Sequence, residues 1–154
     1  VVSVKKDLYE SRKMYQNPIV LVITIICAMI LIIFIADFAS KKIAAVKIDN
    51  DTKSVLKLVM EYNGEDKLDY AKREFEKIGY SNANINLVEL DDYILLTNNA
   101  SYFTIVGELF KKPKYHRANF KASFNDYHEI VIEEYSEDNM KENDFNNDGE
   151  IIIK

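Results

Sequence analysis

The 154-residue sequence predicts an α+β fold, with a long N-terminal helix packed on a small antiparallel sheet. The first half of that helix is membrane-spanning and the second half amphipathic. Three observations predict this. Eighteen consecutive uncharged, mostly apolar residues open the folded part of the chain. A stripe of apolar residues at spacings of three and four follows them directly. From Ala83 onward the apolar period changes to two.

Ile19 to Ala36 (IVLVITIICAMILIIFIA) carry no charge, no Gly and no Pro. As a helix rising 1.5 Å per residue the run is about 27 Å long, close to the roughly 30 Å hydrocarbon core of a bilayer. Thirteen of its eighteen residues are Ile, Leu, Val or Phe. At roughly −0.3 to −0.6 kcal/mol each, these residues favour insertion by about 6 kcal/mol. Asp37 would cost about 3 kcal/mol at the bilayer centre, but it stands at the end of the run, where headgroups and water reach it. A cleaved signal peptide fits less well, because its apolar region is shorter and ends at a small-x-small site. Here Asp37-Phe38-Ala39 puts an acid where a small residue is wanted, and Ile25 and Ile26 precede Cys27 where a lipoprotein needs small residues. An uncleaved anchor is the expectation.

The domain organisation follows from the span. Residues 1–18 form a short cytoplasmic segment and 19–38 the transmembrane helix. Residues 39–135 form an extracytoplasmic α+β domain, and 136–154 an acidic linker with a short C-terminal strand. Basic residues do not decide orientation, since Lys5, Lys6, Arg12 and Lys13 precede the span and Lys41, Lys42, Lys47 and Lys53 follow it. The small size of the N-terminal segment and the acidity of the large one favour N-terminus inside, C-terminus outside.

Beyond the span, Ala45, Ile48, Thr52, Val55, Val59 and Tyr62 lie on one helical face, widened by Leu56 and Leu58. Asn63-Gly64 is the stop signal. A second helix is predicted over Glu65–Ile78, with Leu68, Ala71, Phe75 and Ile78 inward and its many charges forming a solvated face. Strands are predicted from Ala83, over Tyr93–Thr97, over Ser101–Val106 after a break at Asn98-Asn99, over Tyr115–Phe124 and over Tyr127–Tyr135. Gly107 to Pro113 is expected as a loop. The clearest alternation sets His116, Ala118, Phe120, Ala122 and Phe124 on one face; Asn125-Asp126 then turns the chain into Ile130 and Ile132.

Charge and composition exclude several function classes. From Phe38 onward 16 Lys and Arg stand against 22 Asp and Glu, a poor match to nucleic acid, whose binding needs a positive face. Cys27 is the single cysteine and lies in the apolar run, so the domain has no disulfide and no Cys-based metal site. Four Gly in the whole chain leave no Gly-rich phosphate loop. His116 and His128 are expected on apolar strand faces as partly buried, satisfied side chains. Glu133-Glu134 and Asp91-Asp92 are adjacent, so in strands their side chains face opposite ways. Asn99-Ala100-Ser101 fits a glycosylation tripeptide, a common and uninformative match.

Asp144-Phe145-Asn146-Asn147-Asp148-Gly149-Glu150 matches positions 1, 3, 5 and 6 of a calcium loop, but position 12 falls one residue beyond Lys154. The same residues fit an Asp-Gly turn before a terminal strand. No catalytic, cofactor-binding or metal residues are assigned, no cofactor or small-molecule substrate is expected, and a non-enzymatic role is the expectation. The alternative is a membrane-tethered calcium- or ligand-binding module.

The junction Ile35-Ala36-Asp37-Phe38-Ala39, running directly into an amphipathic helix, resembles the TadE/TadG-like proteins of the tight-adherence (Flp-type) pilus system. Tyr102 to Phe110, leading to the alternating 118–124 strand, is similar to that family's extended segment, short Gly-containing loop and final strand. The resemblance implies a pilin-like fold, and an envelope-exposed component of a pilus or secretion assembly. Its partners would be the bilayer and other proteins of that assembly. Processed pseudopilins of the system carry a Gly cleavage site and an early Glu in the apolar run. Gln16-Asn17-Pro18 and a run without Glu depart from that pattern and fit an uncleaved, TadG-like anchor. Asp37 is the one residue the resemblance carries over.

Overall fold

The computed structural model describes residues 17–80 and 84–136. Its first element, α1, is one unbroken helix over Pro18–Glu61. Asn17 caps the start, its Oδ1 accepting the Ile19 N–H at 3.1 Å, and Pro18 fills the first turn, where a missing N–H costs nothing. Along Ile19–Ile35 the large apolar side chains lie exposed, and no part of the most apolar eighteen-residue window is buried by the described residues. Burial begins with the amphipathic half, where Ile48, Thr52, Val55, Leu56 and Val59 face the core. Leu58 belongs to the flank instead and is 40 % exposed. The helix ends where Tyr62 turns extended, and Gly64 answers a packing need there: a Cβ on it would meet the Tyr62 ring at 2.2 Å.

Helix α2 (Lys67–Lys77) starts at Asp66, whose Oδ1 accepts the Asp69 N–H at 2.8 Å. Its end is a Schellman turn: Gly79 adopts φ 96°, the Gly79 N–H reaches the Glu76 carbonyl and the Tyr80 N–H the Phe75 carbonyl, both at 3.0 Å. Ala71 and Phe75 are fully buried, whereas Ile78 sits past the helix and is largely exposed. Tyr62 stacks on Tyr70 with ring centroids 4.1 Å apart, which holds α2 against the end of α1.

Four strands, β1 (Asn84–Glu89), β2 (Tyr93–Tyr102), β3 (Lys114–Phe124) and β4 (Ile130–Glu134), pair antiparallel in the order β1-β2-β3-β4. One face of this meander covers the amphipathic half of α1. Leu96, Ala118, Phe120 and Ala122 meet Ile48, Val55, Leu56, Val59 and Phe75 in a single core, with Ile85, Leu87, Ile130 and Ile132 at its margin. The 116–124 alternation is present as expected, except that Phe124 has run past the core edge and is exposed.

Three expectations are corrected. Asn98-Asn99 does not break the chain: β2 runs through both residues, paired with β1 and β3. The segment expected as a strand to Val106 and then a loop contains a short helix, α3 (Ile105–Leu109), capped by Thr104. Tyr127 and His128 lie in the hairpin turn and not in β4. Asn125 Oδ1 accepts the N–H groups of Tyr127 and Glu129 there, and His128 takes φ 61°.

Candidate functional site

The polar side chains of α1 that face the domain form a line of specific contacts from the end of the apolar run outward. Asp37 is the first. Its Oδ1 accepts the Val106 N–H at 2.8 Å, and Lys114 Nζ lies 3.7 Å from Oδ2. Val106 belongs to the first turn of α3, whose amide groups have no partner within so short a helix, so the carboxylate completes the capping that Thr104 begins. Thr104 Oγ1 accepts the Gly107 N–H at 3.1 Å. A side chain at 107 would not fit, since a Cβ there would stand 2.8 Å from the Lys112 carbonyl oxygen. Asp37 thereby pins the 103–113 connection against α1 at the level where the apolar run stops.

The second contact joins His116 Nε2 to Asp49 Oδ1 at 2.8 Å. His116 is half-buried, as expected, but its acidic partner comes from α1 and not from a neighbouring strand. The third is fully buried. Asn98 Nδ2 donates to Thr52 Oγ1 at 3.1 Å, and the Thr52 hydroxyl donates to the Ile48 carbonyl at 2.6 Å. Both residues are 0 % exposed, and Asn98 Oδ1 accepts no hydrogen bond among the described residues. On the flank, Tyr80 donates to Asp51 Oδ2 at 2.6 Å. Partial burial, and then the Asp51 carboxylate, push the Tyr80 phenol well above its ordinary range.

These contacts fix one element on another, and none of them converges on a shared cavity. A shallow groove of about 600 Å³ lies along the opposite side of α1, lined by Lys42, Ile43, Val46, Lys47, Asn50 and Asp51. All six belong to α1, and Tyr80 reaches this lining from the flank, through its hydroxyl on Asp51 and its ring 5.8 Å from Lys47 Nζ. His128 is at the tip of the β3–β4 hairpin, remote from His116. Asp91 and Asp92 are exposed in the β1–β2 turn, and Glu133 and Glu134 are exposed on β4. No group of three or more His, Cys, Asp or Glu side chains able to hold a metal occurs among the described residues. Ala100, in the middle of the glycosylation tripeptide, is buried in β2. The 144–150 calcium-loop match and the acidic 137–154 segment lie outside the described residues, as does the N-terminal segment 1–16.

Sequence reasoning singled out Asp37 but not its partners, because Val106 and Lys114 are about seventy residues away and carry no motif. Asp49 and Asn98 were missed for the same reason. Among the described residues α1 is the one helix long and apolar enough to cross a membrane. Comparisons with family models, with curated proteins and with solved structures found no match.

Proposed function

We propose that the chain is a non-enzymatic single-pass membrane protein, with its N-terminal segment in the cytoplasm and its α+β domain held outside. We further propose that it serves as an envelope-exposed component of a pilus or secretion assembly. The observation that carries the first reading is the division of α1. Its apolar half is covered by nothing else among the described residues, while the other half of the same unbroken helix supplies part of the domain's core. The apolar core helix of a soluble protein would be buried, and this one is not. Asp37, at the boundary, is engaged by Val106 and Lys114 of the domain, which makes the end of the span part of the domain's own packing. The assembly role rests on the TadE/TadG-like junction at Ile35–Ala39 and on contacts that hold elements together and do not converge as a reactive centre would.

Membrane fractionation of the expressed chain tests the anchor. It should stay in the pellet after carbonate washing, with the domain open to protease added outside spheroplasts. Release by carbonate, or a mature N-terminus beyond residue 40, would overturn the anchor; a protected domain would reverse the orientation. Mild crosslinking followed by detergent extraction tests the assembly role. Recovery with inner-membrane secretion components supports it, and recovery as a freely diffusing monomer counts against it.

A further inference from the structure

The 103–113 connection between β2 and β3 carries a cluster of exposed apolar side chains outside the span. Phe103 is 55 % exposed, Ile105 50 %, Leu109 77 % and Phe110 65 %. Lys111 and Lys112 follow at once and are exposed as well. The patch is not a floppy tip. Phe110, Lys111 and Lys112 donate their N–H groups to the carbonyls of Val106, Glu108 and Gly107 at 3.2, 3.1 and 2.8 Å, closing α3 with a Schellman turn. That turn normally takes Gly at the left-handed position, yet Lys111 occupies it with φ 51°. A lysine stands where backbone geometry alone favours glycine.

The patch has a defined place relative to the apolar run. The Asp37–Val106 hydrogen bond sets α3 beside the first residue after the apolar run. The register Tyr102↔Lys114 places the connection at the end of the sheet nearest the span, opposite the 90–92 and 125–129 turns beyond Tyr93↔Ser123. Lys111, Lys112 and Lys114 gather at the near end, around Glu108 and Asp37, while Asp91, Asp92, Asp126 and Glu129 lie in the far turns. Aromatic and aliphatic side chains flanked by lysines, level with the end of a span, match the bilayer interface, where apolar groups enter the acyl boundary and cations meet anionic headgroups.

We infer that the α3 connection is a second membrane contact. In it Phe103, Ile105, Leu109 and Phe110 seat in the interface of the leaflet from which α1 emerges, and Lys111 and Lys112 lie on anionic lipid headgroups. This inference rests on the anchoring reading above and extends it.

The chain contains no Trp, so one substitution installs a single tryptophan that can be excited apart from the tyrosines. Full-length Phe34→Trp (in the span), Phe110→Trp and Tyr127→Trp are reconstituted into phosphatidylcholine–phosphatidylglycerol vesicles with lipids brominated at shallow or deep acyl positions. Tyr127, at the far hairpin tip, is 85 % exposed and serves as the solvent reference. Phe34→Trp should be quenched most by deep bromines. Phe110→Trp should be blue-shifted and quenched severalfold more than Tyr127→Trp, most by shallow bromines. Adding Lys111→Glu and Lys112→Glu should cut that quenching, as should replacing phosphatidylglycerol with neutral lipid. If Phe34→Trp is quenched while Phe110→Trp behaves like Tyr127→Trp, the second contact is wrong and the anchor stands. A blue-shifted Phe110→Trp that no brominated lipid quenches means protein, such as a second copy, covers the patch, and also overturns it. If Phe34→Trp itself escapes quenching, anchor and contact fall together.

Discussion

The Thr52–Asn98 pair gives the sharpest test of how helix and sheet are joined. Both side chains are wholly buried, the amide donates to the hydroxyl at 3.1 Å, and the Asn98 carbonyl oxygen has no hydrogen-bond donor among the described residues. Thr52→Val keeps the shape but strands the amide completely, at a cost of about 1–3 kcal/mol for an unsatisfied buried group. The Thr52 hydroxyl's other bond, to Ile48, adds little, because that carbonyl already accepts within the helix. Asn98→Val gives up one hydrogen bond, worth about 0.5–1.5 kcal/mol, and removes an orphan acceptor costing about 1–3 kcal/mol. A β-branched residue also suits a central strand, and Ala118 directly across leaves it room. Asn98→Val is therefore expected to be neutral or stabilising by about 1 kcal/mol. In its background Thr52→Val should cost almost nothing, a coupling of about 1–3 kcal/mol. Urea unfolding of the full chain in mild detergent, followed by tyrosine fluorescence, reads these differences as midpoint shifts of about 1 M at constant slope. Additivity of the two substitutions within about 0.5 kcal/mol, or a clear loss from Asn98→Val, would refute this account of the pair.

The same unfolding assay separates neighbouring leucines of α1: Leu56→Ala, at 0 % exposure, should cost about 2–5 kcal/mol. Leu58→Ala, at 40 % exposure, should stay within about 0.5 kcal/mol of the parent. Gly79→Ala forces a side chain into φ 96° at the end of α2 and should destabilise by about 1–2 kcal/mol, although nothing crowds the position. Tyr80 provides the pH dependence. Its phenol is raised in the folded state by burial and by Asp51, so the folded protein holds that proton more tightly than the unfolded chain. The stabilisation is complete below the ordinary tyrosine value of about 10 and is lost as pH climbs through it toward the higher folded value. Stability measured from pH 9 upward should fall less steeply in Tyr80→Phe, and an unchanged slope would remove Tyr80 as the cause.

Much of the fold was legible because its signals are local and periodic. The apolar run, the stripe from Ile48 to Val59 and the alternation from His116 to Ala122 each state an element and its inward face without reference to the rest of the chain. The failures occur where a distant residue decides. Asn98-Asn99 carries a turn composition, but Thr52 on α1 gives the Asn98 amide a partner inside the core, and the strand continues. Thr104 to Phe110 looks extended and then irregular, yet Asp37 supplies an acceptor for an amide of its first turn and a helix forms. His128 was placed in a strand because its neighbours are strand-like, whereas Asn125 binds the amides of Tyr127 and Glu129 and lengthens the turn. At the candidate site the sequence marked Asp37 and a half-buried His116 but not their partners, since an amide on a short helix sixty-nine residues later leaves no trace in spacing.

The continuity of α1 has a mechanical consequence. Its 44 residues span about 66 Å as a single rod, with no Gly- or Pro-containing joint between the apolar half and the domain. A domain on a flexible linker samples a wide volume above the membrane. This one inherits the tilt and rotation of its own span, because Asp37, Asp49 and Thr52 bind the sheet and its connections along one side of the helix. A lone rod still leaves two freedoms, rotation about its axis and a tilt that averages about 20° in membrane helices. A contact beside the axis, at Phe103 to Lys112, opposes both, since either motion must lift apolar side chains out of the interface or drive them deeper. On the two proposals above, the anchor would set the height of the domain and the α3 connection would set which face it turns along the membrane.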